Sequence, residues 1–412
     1  MENELQPLTE PGRGMVELAE QLAQRFALEA ARYDKEGTFP FGHIQVLQDT
    51  GFMYAPAPVE VGGMGVESVH DVMVATSRLA RGDASITLGV NMHLLVLLSL
   101  ARQRRMLLAR GQDQKAAGVE ATLAAIVADR WVVAAAASEV EQDLLRPSTT
   151  AVLEGGRWIV NGRKVFSSMA PAATHFTTTV TYTDAGGEER FAYTLIPRDS
   201  AGVTVNDDWD AMGMRASGSC SVVFENVVLP GRGPGRGSLA GVVSAEHLEM
   251  ILDSGPAHTS AALGVAEAGH QLAIEGVCRK RQKNPKAVIR PFVQERAAEN
   301  SIDLAASRAV FGRALRMIDE YEESHPGERG SMAEIAPVFA EVQRAKAFVN
   351  AAAVRILDRA LAMSGGAGYL SANPLSRLYR DARAGAFMHP MGIHVGTEYL
   401  GAHTLGLRPA TF

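Results

Sequence analysis

The stretch Ser364-Gly-Gly-Ala-Gly-Tyr369 closes a long Ala-rich run, and eleven residues further on comes Arg380-Asp-Ala-Arg-Ala-Gly-Ala-Phe-Met-His-Pro390. Glycines after an apolar helical run make a helix terminus and turn, and they allow a neighbouring group to approach the main chain closely. The second block sets a charged Arg-Asp-x-Arg cluster ahead of His389, and Pro390 fixes the local chain path.

Working back from this block, the helical period covers Met332 to Met363, Val293 to Tyr321 and Ala257 to Glu275, runs long enough to pack antiparallel as a four-helix bundle. Ahead of them, the Gly- and Pro-rich segment Pro230 to Gly237 reads as a loop or linker. From Trp131 to Val228 the texture is different. Short β-branched runs (Trp158 to Val160, Phe176 to Tyr182, Phe191 to Ile196, Ser221 to Phe224) alternate with Gly-Gly, Asn-Gly and Asp-Ala-Gly-Gly turns, which predicts a compact antiparallel β domain. The N-terminal part reads as helices again, at Gly14 to Ala31 and at Val69 to Leu100 around Arg81-Gly-Asp83. The expected fold class is therefore α+β, with a helical domain at 1–125, a β domain at 126–238 and a helical bundle at 239–412. Clefts where such layers meet are favoured ligand sites.

Composition narrows the function. With 412 residues, 47% hydrophobic and 21% charged, the chain can bury a large core, and its net charge of −6 gives no electrostatic footprint for nucleic acid. The basic run Arg279-Lys-Arg-Gln-Lys283 reads first as a solvated helix face and second as an anion site. Cys220 and Cys278 are too few for a disulfide framework or a cysteine metal site. Met1-Glu-Asn-Glu-Leu5 has neither the basic start nor the apolar run of a signal peptide, so a reducing cytoplasmic compartment is expected. Leu88 to Leu100 contains Asn91 and His93 and falls short of a membrane span, so no membrane role is expected. His389 and His394 lack zinc spacing, and no metal site is expected.

Seven patterns, in order, resemble the acyl-CoA dehydrogenase superfamily over nearly the whole chain: Glu60 to Gly65, Gly82 to Ser85, Asn161 to Ser168, Met212 to Ser217, Phe224 to Pro230, Gly365 to Tyr369 and Tyr379 to Arg383. The resemblance implies a flavin held between the β domain and the bundle. It implies that Phe166 packs near the ring in place of a Trp, and that the Ser168 hydroxyl takes the place of a Thr near flavin N5. Backbone of the Ala134 to Ser138 segment, Ala136 and Ser138 included, is expected to approach the flavin. Gly365, Gly366 and Gly368 are expected to contact the cofactor of another subunit in a homotetramer. The element that clamps the adenine end of FAD matches Lys280 to Asn284 and has lost its Phe and Gly, so FAD and FMN both stay open.

The residues that depart from the family pattern decide the chemistry. The usual catalytic glutamate position falls on His389, and the alternative position offers Gly255 and Pro256. Only Ser138-Glu139 survives of the loop that borders the acyl thioester. Histidine at 389 resembles the monooxygenases built on this scaffold, which take reduced flavin from a separate reductase and transfer oxygen to a small organic molecule. An imidazole with a pKa near 6.5 exchanges protons near neutral pH, and His93 is expected as a second proton handler. The alternative is an atypical acyl-CoA or acyl-carrier dehydrogenase performing α,β-desaturation. Arg380, Asp381 and Arg383 are expected to hold the segment that carries His389.

Overall fold

The computed structural model describes residues 4–140, 145–231, 233–235, 237–284, 289–388 and 391–407. Five helices come first: α1 (Glu10–Glu36), α2 (Phe41–Asp49), α3 (Val69–Ala80), α4 (Ala84–Ala109) and α5 (Asp113–Ala128). Their ends follow local chemistry. The Thr9 hydroxyl accepts from the Gly12 N–H to start α1, and Gly37, at φ 65°, ends it in the left-handed region. Ser68 caps α3, and the Asp83 carboxylate caps α4 by accepting from the Ser85 and Ile86 N–H groups. The break at Arg81-Gly-Asp83 is thus a helix stop followed by a new cap. A side chain at Gly82 would strike the Ala23 carbonyl, so glycine there lets α1 pack against the corner.

A sheet of eight strands follows: β1 (Val133–Ala136), β2 (Thr150–Glu154), β3 (Arg157–Ser167), β4 (His175–Thr183), β5 (Glu189–Pro197), β6 (Val203–Val205), β7 (Cys220–Val228) and β8 (Ser238–Leu239). The main path runs β6-β7-β3-β2-β4-β5-β8, with β1 paired to β4. The sheet is mixed, which corrects the all-antiparallel expectation. β1 lies parallel to β4, with Ala136 opposite Thr178, and Thr150 of β2 pairs parallel with Thr181. The β2–β3 hairpin intervenes between β1 and β4, so β4 re-enters in the same direction as β1. Its apolar face is a separate core around Phe176, Val180, Ile196, Val222 and Phe224.

The C-terminal half contains α6 (Ala245–Ile251), α7 (Ser254–Lys283), α8 (Pro291–Ser324), α9 (Met332–Ser364), α10 (Pro374–Arg383) and α11 (Ile393–Thr404). The long helices α7, α8 and α9 pack on one another, and α3 and α4 pack against α7. One continuous core therefore joins the first and last thirds of the chain. Helix α4 is long and apolar enough to cross a membrane, but 72% of its most apolar window is buried inside the protein, as in a core helix.

The junction between these helical layers is charged as well as apolar. Glu267 of α7, fully buried, accepts from Arg81 Nε at 2.9 Å and Arg308 Nε at 2.8 Å, with Arg78 at 3.5 Å. A separate cavity of about 710 Å³ is lined by Arg102, Arg105, Glu249, Asp319 and Glu322 among others.

Candidate flavin site

The sequence from Lys164 to Met169 is where strand β3 loses its regularity. Its register against β7 shifts between Lys164 and Ser167, a bulge that leaves residue 166 out of the ladder. Phe166 has φ 57° and is 65% exposed. A large aromatic residue with positive φ and most of its ring outside the core is costly on both counts. Trp209 meets its ring edge-on at 6.1 Å, and Met212, another exposed apolar side chain, lies close by in sequence.

Trp209 is held by a relay that reaches both ends of the chain. Its indole N–H donates to the Met214 carbonyl at 3.0 Å, and the Met214 N–H donates to buried Asp381 at 2.7 Å. Burial raises the Asp381 pKa above the usual carboxylate range, against the lowering influence of Arg377. Arg380 donates to the Met212 carbonyl at 2.9 Å and to Asp34 of α1 at 2.9 Å. Gly213 is required here, because any Cβ would overlap the Arg380 carbonyl. Arg380 and Asp381 therefore bind outward to α1 and to the 212–214 turn, not to each other. Phe387, further along the same segment, is 73% exposed, with the Arg383 guanidinium 5.7 Å from its ring centre.

Ser138 and Ser168 join the same face. Ser138 bridges to Val165, whose N–H donates to the Ser138 carbonyl at 2.8 Å. Ser168 is buried beside the bulge, and its hydroxyl meets that of Ser219 at 2.8 Å. Beneath them lies a buried ion pair. Lys164 Nζ donates to Glu139 at 2.7 Å, and Glu139 also accepts from the Ser148 and Thr149 N–H groups. Burial alone would raise the Glu139 pKa, but the Lys164 charge and these donors pull it down to about 2. Burial lowers Lys164 to about 8 against the opposing pull of Glu139, so the pair is ionised at neutral pH. That pair closes the base of the loop that the sequence flagged as divergent.

Other expected site residues are placed differently. Ala136 is fully buried in the sheet core, and its carbonyl is taken by the Thr178 hydroxyl at 2.7 Å. His93 is fully buried between α4 and β1, where Nδ1 accepts from the Val133 N–H at 3.1 Å. Burial lowers its pKa to about 3, so the ring stays neutral and serves as a backbone acceptor instead of exchanging protons near neutral pH. Gly365, at φ 66°, ends α9, and Gly365–Tyr369 forms a short 3₁₀ turn. Gly365 and Gly366 have open space where a Cβ would stand, whereas Gly368 is buried against the Leu361 carbonyl, so its small size serves internal packing. Tyr369 beside them is 95% exposed, and Lys280 of α7 donates to the Ser364 carbonyl at 3.2 Å. His389 lies outside the described residues.

Two features were not anticipated from sequence. One is the serine group at 217 and 219. The other is a row on α9 facing the chain after α10: Gln343, Lys346 and Asn350, all at most 5% exposed. Lys346 Nζ donates to the Met388 carbonyl at 2.8 Å and the Met391 carbonyl at 2.7 Å, while Asn350 donates to the Gly385 carbonyl at 3.1 Å. Desolvation lowers the Lys346 pKa to about 7. Their spacing of three and four residues inside an otherwise apolar stripe is the signal a sequence reading could have used.

An exposed aromatic bulge, an edge-on indole and a buried hydroxyl lie together on a chain whose helix–sheet–helix order is that of flavoenzymes of the acyl-CoA dehydrogenase type. Comparison with known proteins agrees. Models described as the acyl-CoA dehydrogenase N-terminal, middle and C-terminal domains match residues 9–105, 133–227 and 249–389. The chain is 34% identical to L-evernosamine nitrososynthase of Micromonospora sp., covering 97% of this chain and 92% of that one. It is 30% identical to the putative acyl-CoA dehydrogenase YdbM of Bacillus subtilis, covering 92% and 93%. The solved structure of KijD3 in complex with FMN and dTDP-3-amino-2,3,6-trideoxy-4-keto-3-methyl-D-glucose superposes with a TM-score of 0.86 at 31% identity, covering 98% of this chain and 95% of that chain. The chain belongs to the acyl-CoA dehydrogenase superfamily and is a flavin-dependent oxidoreductase.

Proposed function

We propose that this chain is a two-component flavin monooxygenase that uses reduced FMN and O2 to oxidise the amino group of a nucleotide-linked amino sugar. The carrying observation is full-length similarity to a nitrososynthase, together with the likeness to KijD3 bound to FMN and an amino keto sugar nucleotide. The chain's own residues point the same way. At the alternative base position of the dehydrogenases, Gly255 and Pro256 are buried, and a Cβ on Gly255 would stand 3.1 Å from Val342. Neither position carries a carboxylate. Glu398, the remaining nearby acid in the sequence, is exposed on α11. Desaturation therefore lacks its carboxylate base.

In this reading Phe166 and Trp209 flank the isoalloxazine, Ser168 and Ser138 supply polar contacts, and the turn at Gly365, Gly366 and Gly368 meets a cofactor across a subunit boundary in a homotetramer. FMN is favoured over FAD because the adenine clamp is missing at Lys280 to Asn284. When bound, reduced flavin would supply two electrons and activate O2, so that one oxygen atom enters an N–H bond of the amine to give a hydroxylamine and the other leaves as water. A second such round with loss of water gives the nitroso product. His389 takes the amine proton, and Lys346, tied to the carbonyls of Met388 and Met391, fixes the chain on both sides of it. A cytoplasmic flavin reductase feeds the site.

The test is turnover with reduced FMN, O2 and a dTDP-amino sugar, read by mass spectrometry. A hydroxylamine one oxygen heavier than the substrate, or a nitroso product with that oxygen and two hydrogens fewer, supports the proposal, and His389→Gln should lower kcat by about 10²–10⁴-fold without releasing FMN. Bleaching of the oxidised flavin by an acyl-CoA, with no oxygenated amine, would instead establish desaturation.

A further inference from the structure

Behind the Phe166 bulge, three serine hydroxyls form a chain. Ser168 Oγ lies 2.8 Å from Ser219 Oγ, which lies 2.7 Å from Ser217 Oγ. The three residues are 7%, 4% and 1% exposed. Each hydroxyl has one proton to donate, and Ser219 can give its proton to only one neighbour. Three arrangements satisfy both bonds. If Ser168 and Ser217 both donate to Ser219, the Ser219 proton has no acceptor among the described residues. If Ser168 donates to Ser219 and Ser219 to Ser217, the Ser217 proton is stranded instead. Only the order Ser217 to Ser219 to Ser168 leaves the spare proton on Ser168, the member beside the exposed aromatic face. Ser168 is the most exposed of the three and sits next to the open side, where an outside acceptor can reach its proton, so the third arrangement is the favoured one.

We propose that Ser219 polarises this chain so that Ser168 acts as a fixed hydrogen-bond donor toward the flavin. The inference rests on reading the Phe166–Ser168 face as the flavin site. Oxidised isoalloxazine offers a lone pair at N5, whereas the reduced ring carries N–H there. A fixed donor suits the first and opposes the second, so the protein sets the relative affinity for the two redox forms through a residue that does not touch the ring. Ser219 is thus a positioning residue and Ser168 the contact.

The experiment measures FMN dissociation constants in the oxidised form and, anaerobically, in the reduced form. Ser219→Ala should shift the oxidised-to-reduced affinity ratio toward the reduced form by about three- to tenfold, because Ser168 then rotates freely. Ser219→Thr keeps the hydroxyl and should stay near wild type. Ser217→Ala should also stay near wild type, since Ser219 then still avoids a stranded proton by donating to Ser168. If Ser219→Ala proves unstable, Ser168→Ala carries the test, because it removes the donor itself and should move the ratio in the same direction. An unchanged ratio in a variant that still binds FMN overturns the proposal, as does an equal shift in Ser217→Ala and Ser219→Ala. Loss of FMN binding by the wild-type protein would sink the flavin-face reading itself.

Discussion

The seam between the helical layers and the face of the β domain solve opposite problems. At the seam, Glu267 is surrounded by Arg78, Arg81 and Arg308, all closely paired in the interior. At the face, an exposed phenyl ring and an exposed methionine accompany a half-buried indole, with hydroxyls behind them and the Lys164–Glu139 pair buried below. Buried charge is concentrated where two layers must dock in one register, whereas the β-domain face sets apolar side chains at its surface. Strain follows the same division. Phe166, Met169 and Met214 all have positive φ, and all belong to the bulge or the turn that supports it.

The difference can be broken most forcefully at the seam. Glu267→Ala leaves up to three guanidinium groups without their shared buried partner and should cost about 3–5 kcal/mol in urea unfolding. FMN affinity of the folded fraction should be unchanged, and a matching loss of affinity would show that the two regions are one unit. Lys346 gives the next effect. Its folded pKa of about 7 lies below the value of an unfolded lysine, so the unfolded chain binds the extra proton between about pH 7 and pH 10. Stability should therefore rise with pH across that window by a few kcal/mol from this group, and Lys346→Met should flatten the rise in pH-dependent unfolding curves.

At the face, effects on binding should exceed those on stability. Phe166→Ala removes exposed aromatic surface from a strained position and should weaken FMN binding about tenfold, with a midpoint of thermal unfolding close to wild type. A large fall in that midpoint would make Phe166 a packing residue. The smallest effect is expected at His93, where Gln keeps an acceptor for the Val133 N–H. His93→Gln should change stability by under about 1 kcal/mol and leave the pH dependence of turnover in place, since a ring with a pKa of about 3 does not titrate in the working range.

Much of the fold could be read from sequence because its signals are local. Helical period, the Asp83 cap and the turn-separated β-branched runs each act over a few residues, and the elements formed where they pointed. The direction of β1 was not legible, because parallel pairing with β4 depends on a partner about forty residues away. The site divides similarly. Phe166 and Ser168 were recognisable from a motif, and the structure shows the first exposed and the second buried. His93 looked like a proton handler because sequence reports its chemistry and not its depth; desolvation decides the matter. Lys346, Ser219 and Trp209 were invisible because each takes its meaning from a carbonyl, hydroxyl or ring that only the fold brings near.

The relay through Asp34, Arg380 and the 212–214 turn has a consequence for biogenesis. Arg380 meets Asp34 across 346 positions of chain, and Asp381 meets Met214 across 167. While the nascent polypeptide is still on the ribosome, the turn that steadies Trp209 lacks both anchors until the final helices have emerged. That turn therefore reaches its final form only late in synthesis, and a stalled or prematurely terminated product would carry it without its anchors.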